Sequence, residues 1–292
     1  MFLRFISITK LYLKRFLSVL LLMLLVSLAW LTPVQSVRAD YFQCFQQETG
    51  SSQCSTGRML KESCFGASNS VAPKCCEGKI KDYYVEVDDQ KSDVTVLAIH
   101  GGEIEEGTTK ISQHIAKPRG WNLYTFSAQG RPQCLQKDSN FQRLHITSTH
   151  FNDTRAVELV KAHPKSVSIH GYREWRKYPD GVICVGGRNH AQIKAFISHV
   201  NANASSFSGS GSYPLKPIDA STASEGEDFC VDKKPYLKGT ARMNIVNRNL
   251  RGRGLQLELG PVMRKDLAEG VGFRYDTLRT IIYGAIDEAM KF

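Results

Sequence analysis

Val94–Ile99 (VTVLAI) is a nearly continuous run of apolar, largely β-branched side chains. Such a run fits a strand buried on both faces, and it therefore demands a covering layer on each side. The run stops on His100, Gly101 and Gly102, then gathers Glu103, Glu105 and Glu106 within four positions. A second short run, Ser166–Ile169 (SVSI), also stops on a histidine and a glycine, His170 and Gly171. The chain ends buried strands with ionisable groups twice, which is where open α/β sheets gather their ligands.

The rest of the chain from about residue 80 fits that frame. Trp121–Phe126, Leu144–Ser148, Val182–Val185 and Gly254–Leu259 carry strand patterns. Helical patterns occur near Thr108–Ile115, with Thr108 or Thr109 as N-cap, and over Asp153–His163, Asn189–Val200 and Tyr275–Met290. The Ser-, Gly- and Asn-rich stretch 201–226 is expected to be a long loop. This alternation predicts a single α/β domain over residues 80–292, with a mixed, mostly parallel central sheet flanked by helices.

The first 39 residues do not belong to that domain. Arg4, Lys10, Lys14 and Arg15 precede the apolar stretch Phe16–Leu31, and Val37-Arg38-Ala39 offers small residues where a signal peptidase cuts. At 16 residues the stretch is short for a membrane span, which needs about 20. A secretory signal cleaved near Ala39 is expected, giving a secreted or periplasmic protein with no stable membrane insertion. All eight cysteines lie beyond it: Cys44, Cys54, Cys64, Cys75, Cys76, Cys134, Cys184 and Cys230. Their even number in an exported chain predicts disulfides, up to four, and the absence of any CxxC argues against a structural zinc site. Residues 40–79 hold five of them and little apolar periodicity, as in a cysteine-rich extension. Removing the signal lowers the net charge from +10 to +5, since it carries five Lys and Arg and no Asp or Glu. That balance suits an anionic substrate, and the lack of a basic, aromatic-interleaved stripe excludes nucleic acid.

His100, a nearby carboxylate and His170 supply the donor types of a catalytic zinc site, with Glu258 in Gly254–Leu259 (GLQLEL) as a further carboxylate for general-base work. An ionised Glu between leucines is costly unless it faces an edge, a cation or a metal. Each residue has a plainer alternative. His100 would fit the oxyanion loop of an α/β-hydrolase, but no Gly-x-Ser-x-Gly elbow accompanies it. Glu258 would fit a structural ion pair with Arg253 or Arg264. His145 and His150 are assigned outside the ligand set, and His114, His163, His190 and His199 to the surface.

Taken in order, HGGEIEEGT, LHITSTHF, SIHGYRE, VGGRN and NIVNRNLRGRGLQLEL resemble the poly-γ-glutamate hydrolase family, zinc peptidases related in fold to the zinc carboxypeptidases. The resemblance spans most of residues 81–292 and leaves out residues 40–79. It implies that His100 and His170 hold Zn2+, with Glu105 rather than Glu103 completing the set, and that Glu258 is the general base. Tyr172 and Arg173 depart from the small residues expected after the second histidine. A γ-linked polyglutamate offers one free carboxylate per unit, for which Arg188 and Arg248 are the candidate grips. The expected activity is hydrolysis of γ-glutamyl amide bonds; the alternatives are an amidase or carboxypeptidase acting on cell-wall peptides, and an inactive binding protein of the same fold.

Overall fold

The computed structural model describes residues 45–47, 58–60, 75–77, 82–129, 144–172, 180–207, 209, 211–224, 229–232 and 237–292. The proposed signal, most of the cysteine-rich extension, and Arg173 lie outside them. Three short antiparallel strands, β1 (Phe45–Gln47), β2 (Arg58–Leu60) and β3 (Cys75–Cys76), form a small sheet of their own.

The main sheet has seven strands: β4 (Tyr83–Asp88), β5 (Val94–Gly102), β6 (Asn122–Ala128), β7 (Lys165–Gly171), β8 (Val182–Gly187), β9 (Lys216–Asp219) and β10 (Leu255–Leu259). Their order is β4-β6-β5-β7-β10-β8-β9. The β6–β5, β5–β7, β7–β10 and β8–β9 pairs are parallel, while β4–β6 and β10–β8 are antiparallel. This is the expected single α/β domain with a mixed, mostly parallel sheet.

Among the described residues six α-helices complete it: α1 (Thr108–Arg119), α2 (Thr154–Ala162), α3 (His190–Asn203), α4 (Phe229–Asp232), α5 (Pro261–Glu269) and α6 (Phe273–Ala289). One core packs Val94 and Val96 of β5, Val167 and Ile169 of β7, and Leu255, Leu257 and Leu259 of β10 under α1, α3, α5 and α6. A second core on the other face joins Leu97 and Ile99 to Tyr124, Phe126, Phe151 and α2. Strand alternation then decides where chemistry sits. In β7 and β10 the second face receives Ser166, Ser168, His170, Gln256 and Glu258, all buried.

Four expectations need correction. Leu144–Ser148 is not a strand. Leu144 and Ile146 are buried as the alternation implied, but the carbonyl of Ile146 is taken by the His100 ring and that of Ser148 by the Ile245 N–H, so no ladder forms. Stretch 201–226 is not a plain loop: it carries β9, whose Pro217 is tolerated because this is an edge strand. Helix α1 is entered through Gly107 in the left-handed region at φ 92° with no side-chain cap; Thr108 Oγ1 instead donates back to the carbonyl of Glu105 at 2.9 Å. His163 is buried, not superficial, and its Nδ1 meets the Leu159 carbonyl at 2.7 Å.

Two cross-links tie the sheet to the segments around it. Cys184 on β8 is bonded to Cys230 on α4, closing 46 residues. Arg155 on α2 grips both carboxylate oxygens of Glu77 at 2.7 and 2.8 Å, fastening the segment before β4 to the domain. Among the described residues no helix is long and apolar enough to cross a membrane.

Candidate metal centre

The register of the sheet brings the expected residues to one place. Glu258 of β10 is the direct partner of His170 on parallel β7, so both side chains leave the same face at the same height. His100 reaches that face through an irregularity. Between Ala98 and Gly101 the β5–β6 register shifts, with Ala98 opposite Thr125 and Gly101 opposite Ser127. Two residues of β5 thus oppose one of β6, the pattern of a β-bulge, which re-aims side chains at strand ends. Without it, strict alternation would turn His100 toward the α1 and α6 layer with Val94 and Val96. Gly101 is required there: a Cβ would come within 2.0 Å of Thr109 Oγ1 and 2.8 Å of the Phe126 carbonyl.

The chain then turns back at once. Gly102 has φ 63°, and the Glu105 N–H donates to the carbonyl of His100 at 2.9 Å. This folds Glu105 over the bulge, leaving Glu103 and Glu106 exposed. His100 Nδ1 lies 2.8 Å from Glu105 Oε1 and 3.1 Å from His170 Nδ1, and His170 Nδ1 is 3.5 Å from Glu105 Oε2. Donors about 2.0–2.2 Å from one tetrahedral cation stand roughly 3.3 Å apart, so the three side chains need almost no movement to hold an ion.

The outward nitrogens show which edges face in. His100 Nε2 meets the carbonyl of Ile146 at 2.8 Å; a carbonyl only accepts, so that nitrogen carries a proton, which leaves Nδ1 as the nitrogen turned toward Glu105 and His170. His170 Nε2 lies 2.8 Å from Ser168 Oγ and 3.4 Å from Ser148 Oγ. Outer partners of this kind fix ring orientation and tautomer at metal sites. The Gly171 N–H, donating to Glu105 Oε2 at 2.8 Å, orients the carboxylate in the same way.

Charge and burial drive the two carboxylates apart. Burial alone would push Glu105 up, but the imidazoles of His100 and His170 beside it hold its carboxyl well below the usual range. Glu258 is pushed up to about 8, first by burial and further by Glu105, against the pull of His170 and Arg264. Its Oε1 accepts from Gln256 Nε2 at 2.9 Å. Neither Arg253 nor Arg264 forms an ion pair with it among the described residues.

His145, expected outside the ligand set, lies directly beside it. Its ring stacks on that of His100 at 4.0 Å between centroids, and its Nε2 is 4.0 Å from Glu105 Oε1. His100, Glu105 and His145 are themselves close enough to hold an ion. We favour His170 over His145, because the Nδ1 atoms of His100 and His170 converge while Nε2 of each is occupied on the outside. Burial first, then the neighbouring His100, lowers the His145 ring to about 3. His150 is exposed, with Nδ1 2.8 Å from Thr147 Oγ1.

The two candidate arginines are not gathered at the centre as His100, His170 and Glu258 are. Strand β8 runs antiparallel to β10, with Gly187 opposite Leu255 and Cys184 opposite Glu258. Arg188, whose N–H donates to the Gly254 carbonyl, therefore lies at the far edge of the sheet, about 13 Å of strand from Glu258. Arg248 is near the site but engaged: Nε and Nη2 donate to the Met243 carbonyl, Nη1 to that of Phe151 and Nη2 also to that of Thr149. Four backbone contacts make it the brace of the 149–151 turn. Burial brings its guanidinium down to about 10.

Residues 74–282 match the family described as poly-γ-glutamate hydrolase. The chain belongs to that family. Among curated proteins it is similar to the SPβ prophage-derived protein YoqZ of Bacillus subtilis, 27% identical over 201 residues, covering 68% of this chain and 61% of YoqZ. It is also similar to YndL of the same species, 28% identical over 186 residues, covering 64% and 60%. The chain thus spans about six-tenths of the length of these relatives. Among solved structures, that of a bacteriophage poly-γ-glutamate hydrolase matches with TM-score 0.53 and 26% identity, over 72% of this chain and 88% of that one. A zinc-free structure of YndL matches with TM-score 0.53 and 25% identity, over 71% and 91%. At 25–26% identity the fold is the one these two structures share.

Proposed function

We propose that this protein is a zinc-dependent hydrolase of γ-glutamyl amide bonds, with His100, His170 and Glu105 holding the metal and Glu258 as general base. The observation that carries this reading is the meeting of two Nδ1 atoms and one carboxylate within 2.8–3.5 Å of one another, each oriented from behind. When bound, zinc acidifies a water and polarises the scissile carbonyl.

The protein groups divide the remaining work. Ile146 and Ser168 hold the two imidazoles with Nδ1 inward. Glu258, next to His170 and with Oε1 fixed by Gln256, keeps Oε2 for the proton of the attacking water and returns it to the leaving amine. A carboxyl raised to about 8 takes up a proton more readily than an ordinary carboxylate does, and a cation beside it would lower that elevation. The polymer named by the family is the substrate class, and the mildly basic mature chain suits a polyanion.

The first 39 residues are proposed as an export signal and residues 40–79 as a cysteine-rich extension; the Cys184–Cys230 disulfide supports an oxidising compartment. The test is incubation of the zinc-loaded mature protein with poly-γ-glutamate and with α-linked polyglutamate. Cleavage of the γ-linked polymer alone is expected. Cleavage of neither removes the named substrate, and cleavage of both favours a general peptidase.

A further inference from the structure

Arg264 lies on α5, six positions after Glu258, and is buried. Its Nε donates to the carbonyl of Glu106 at 2.8 Å; its Nη1 donates to the carbonyls of Leu259 at 2.6 Å and Tyr172 at 3.1 Å. Those carbonyls belong to three separate segments: the turn after β5, the end of β10 and the end of β7. Each adjoins a residue of the centre. Glu106 follows Glu105, Leu259 follows Glu258, and Tyr172 comes two after His170. Among the described residues no carboxylate lies within ion-pair distance of the guanidinium. Its hydrogen-bond partners are backbone carbonyls at the strand ends.

We propose that Arg264 is a positioning residue that fixes the spacing of Glu105, His170 and Glu258 by clamping the three strand ends that carry them. The proposal rests on the zinc site proposed for His100, Glu105 and His170, and names a residue outside that ligand set. A planar guanidinium presents donors at fixed angles, so three carbonyls bound to one fork cannot drift independently; a lysine ammonium provides a single flexible point. Tolerances are tight, because a metal or catalytic constellation must be held within about 0.5 Å. Gly171 shows how closely the fork is fitted. A Cβ there would come within 2.1 Å of Arg264 Nη1, so the residue after His170 must be glycine for the clamp to pass.

The experiment compares wild type with Arg264→Lys, using three readouts: urea unfolding of the metal-free protein, zinc affinity by chelator competition, and kcat and KM on poly-γ-glutamate at saturating zinc. The expected result is a folded variant whose zinc affinity falls about 10–100-fold. Its kcat falls at least about tenfold while KM stays within about threefold, since the clamp orders reacting groups rather than gripping polymer. A folded Arg264→Lys protein with zinc affinity and kcat both within about threefold of wild type overturns the proposal. If Arg264→Lys does not fold, Gly171→Ala, which displaces the guanidinium but keeps its charge, must show the same loss; wild-type zinc affinity and kcat in it overturn the proposal. Wild type that takes up no zinc instead overturns the zinc site itself, whatever the variants do.

Discussion

Glu258→Gln separates the cost of burying a carboxylate from its use. Burial pushes Glu258 from 4.5 to about 8 in the metal-free protein. Between those two values the folded state holds a proton that the unfolded state has released. The unfolded chain binds fewer protons there, so stability falls as pH rises through the window. At about 1.4 kcal/mol per pH unit, the loss is bounded at about 5 kcal/mol. Glutamine keeps the shape and the oxygen that accepts from Gln256 Nε2 but has no proton to lose. Urea unfolding of both metal-free proteins, at pH 5 and at pH 8.5, measures the difference directly. We expect them to agree within about 1 kcal/mol at pH 5 and the glutamine variant to be about 3–5 kcal/mol more stable at pH 8.5, with equal m-values. Because His170 faces Glu258 and its own pKa is raised against burial by Glu105 and Glu258, the midpoint belongs to the pair. Parallel stability profiles for the two proteins would refute the reasoning, since they would mean that Glu258 is ionised at little cost.

Three more outcomes are expected from the fold. Arg188→Ala should leave KM and kcat on poly-γ-glutamate within about twofold of wild type, because Arg188 stands at the far edge of the sheet; a large rise in KM would return it to the substrate site. Arg248→Ala should destabilise the protein by about 2–4 kcal/mol in urea titration, through loss of its bonds to the Met243, Thr149 and Phe151 carbonyls; unchanged stability would contradict its role as a brace. Opening Cys184–Cys230 by paired serine substitution should cost about 4 kcal/mol, from a loop of 46 residues. It should also lower kcat, because Cys184 is the cross-strand partner of Glu258; unchanged kcat would show that the disulfide only stabilises.

Much of the centre could be read from the chain because its logic is local. A buried run that stops on His-Gly, twice, and a Glu set between leucines are visible without coordinates. What escaped was information about partners and direction. Leu144 and Ile146 alternate like a strand, but periodicity reports burial and not which donors the backbone meets. The same segment brings the His145 ring to 4.0 Å from that of His100, a contact that periodicity does not report. Arg188 follows an apolar run as His100 and His170 do, yet β8 is antiparallel to β10, and no local pattern carries the sense of a strand. The Ser-, Gly- and Asn-rich composition of 201–226 hid β9, and α5 starts at Pro261 with proline at its first position.

The most direct test is a zinc-edge anomalous map of metal-soaked crystals of the mature protein. One strong peak is predicted, about 2.0–2.2 Å from His100 Nδ1, His170 Nδ1 and a carboxylate oxygen of Glu105. A peak held by His145 in place of His170, or by the Nε2 atoms, would contradict the proposed centre.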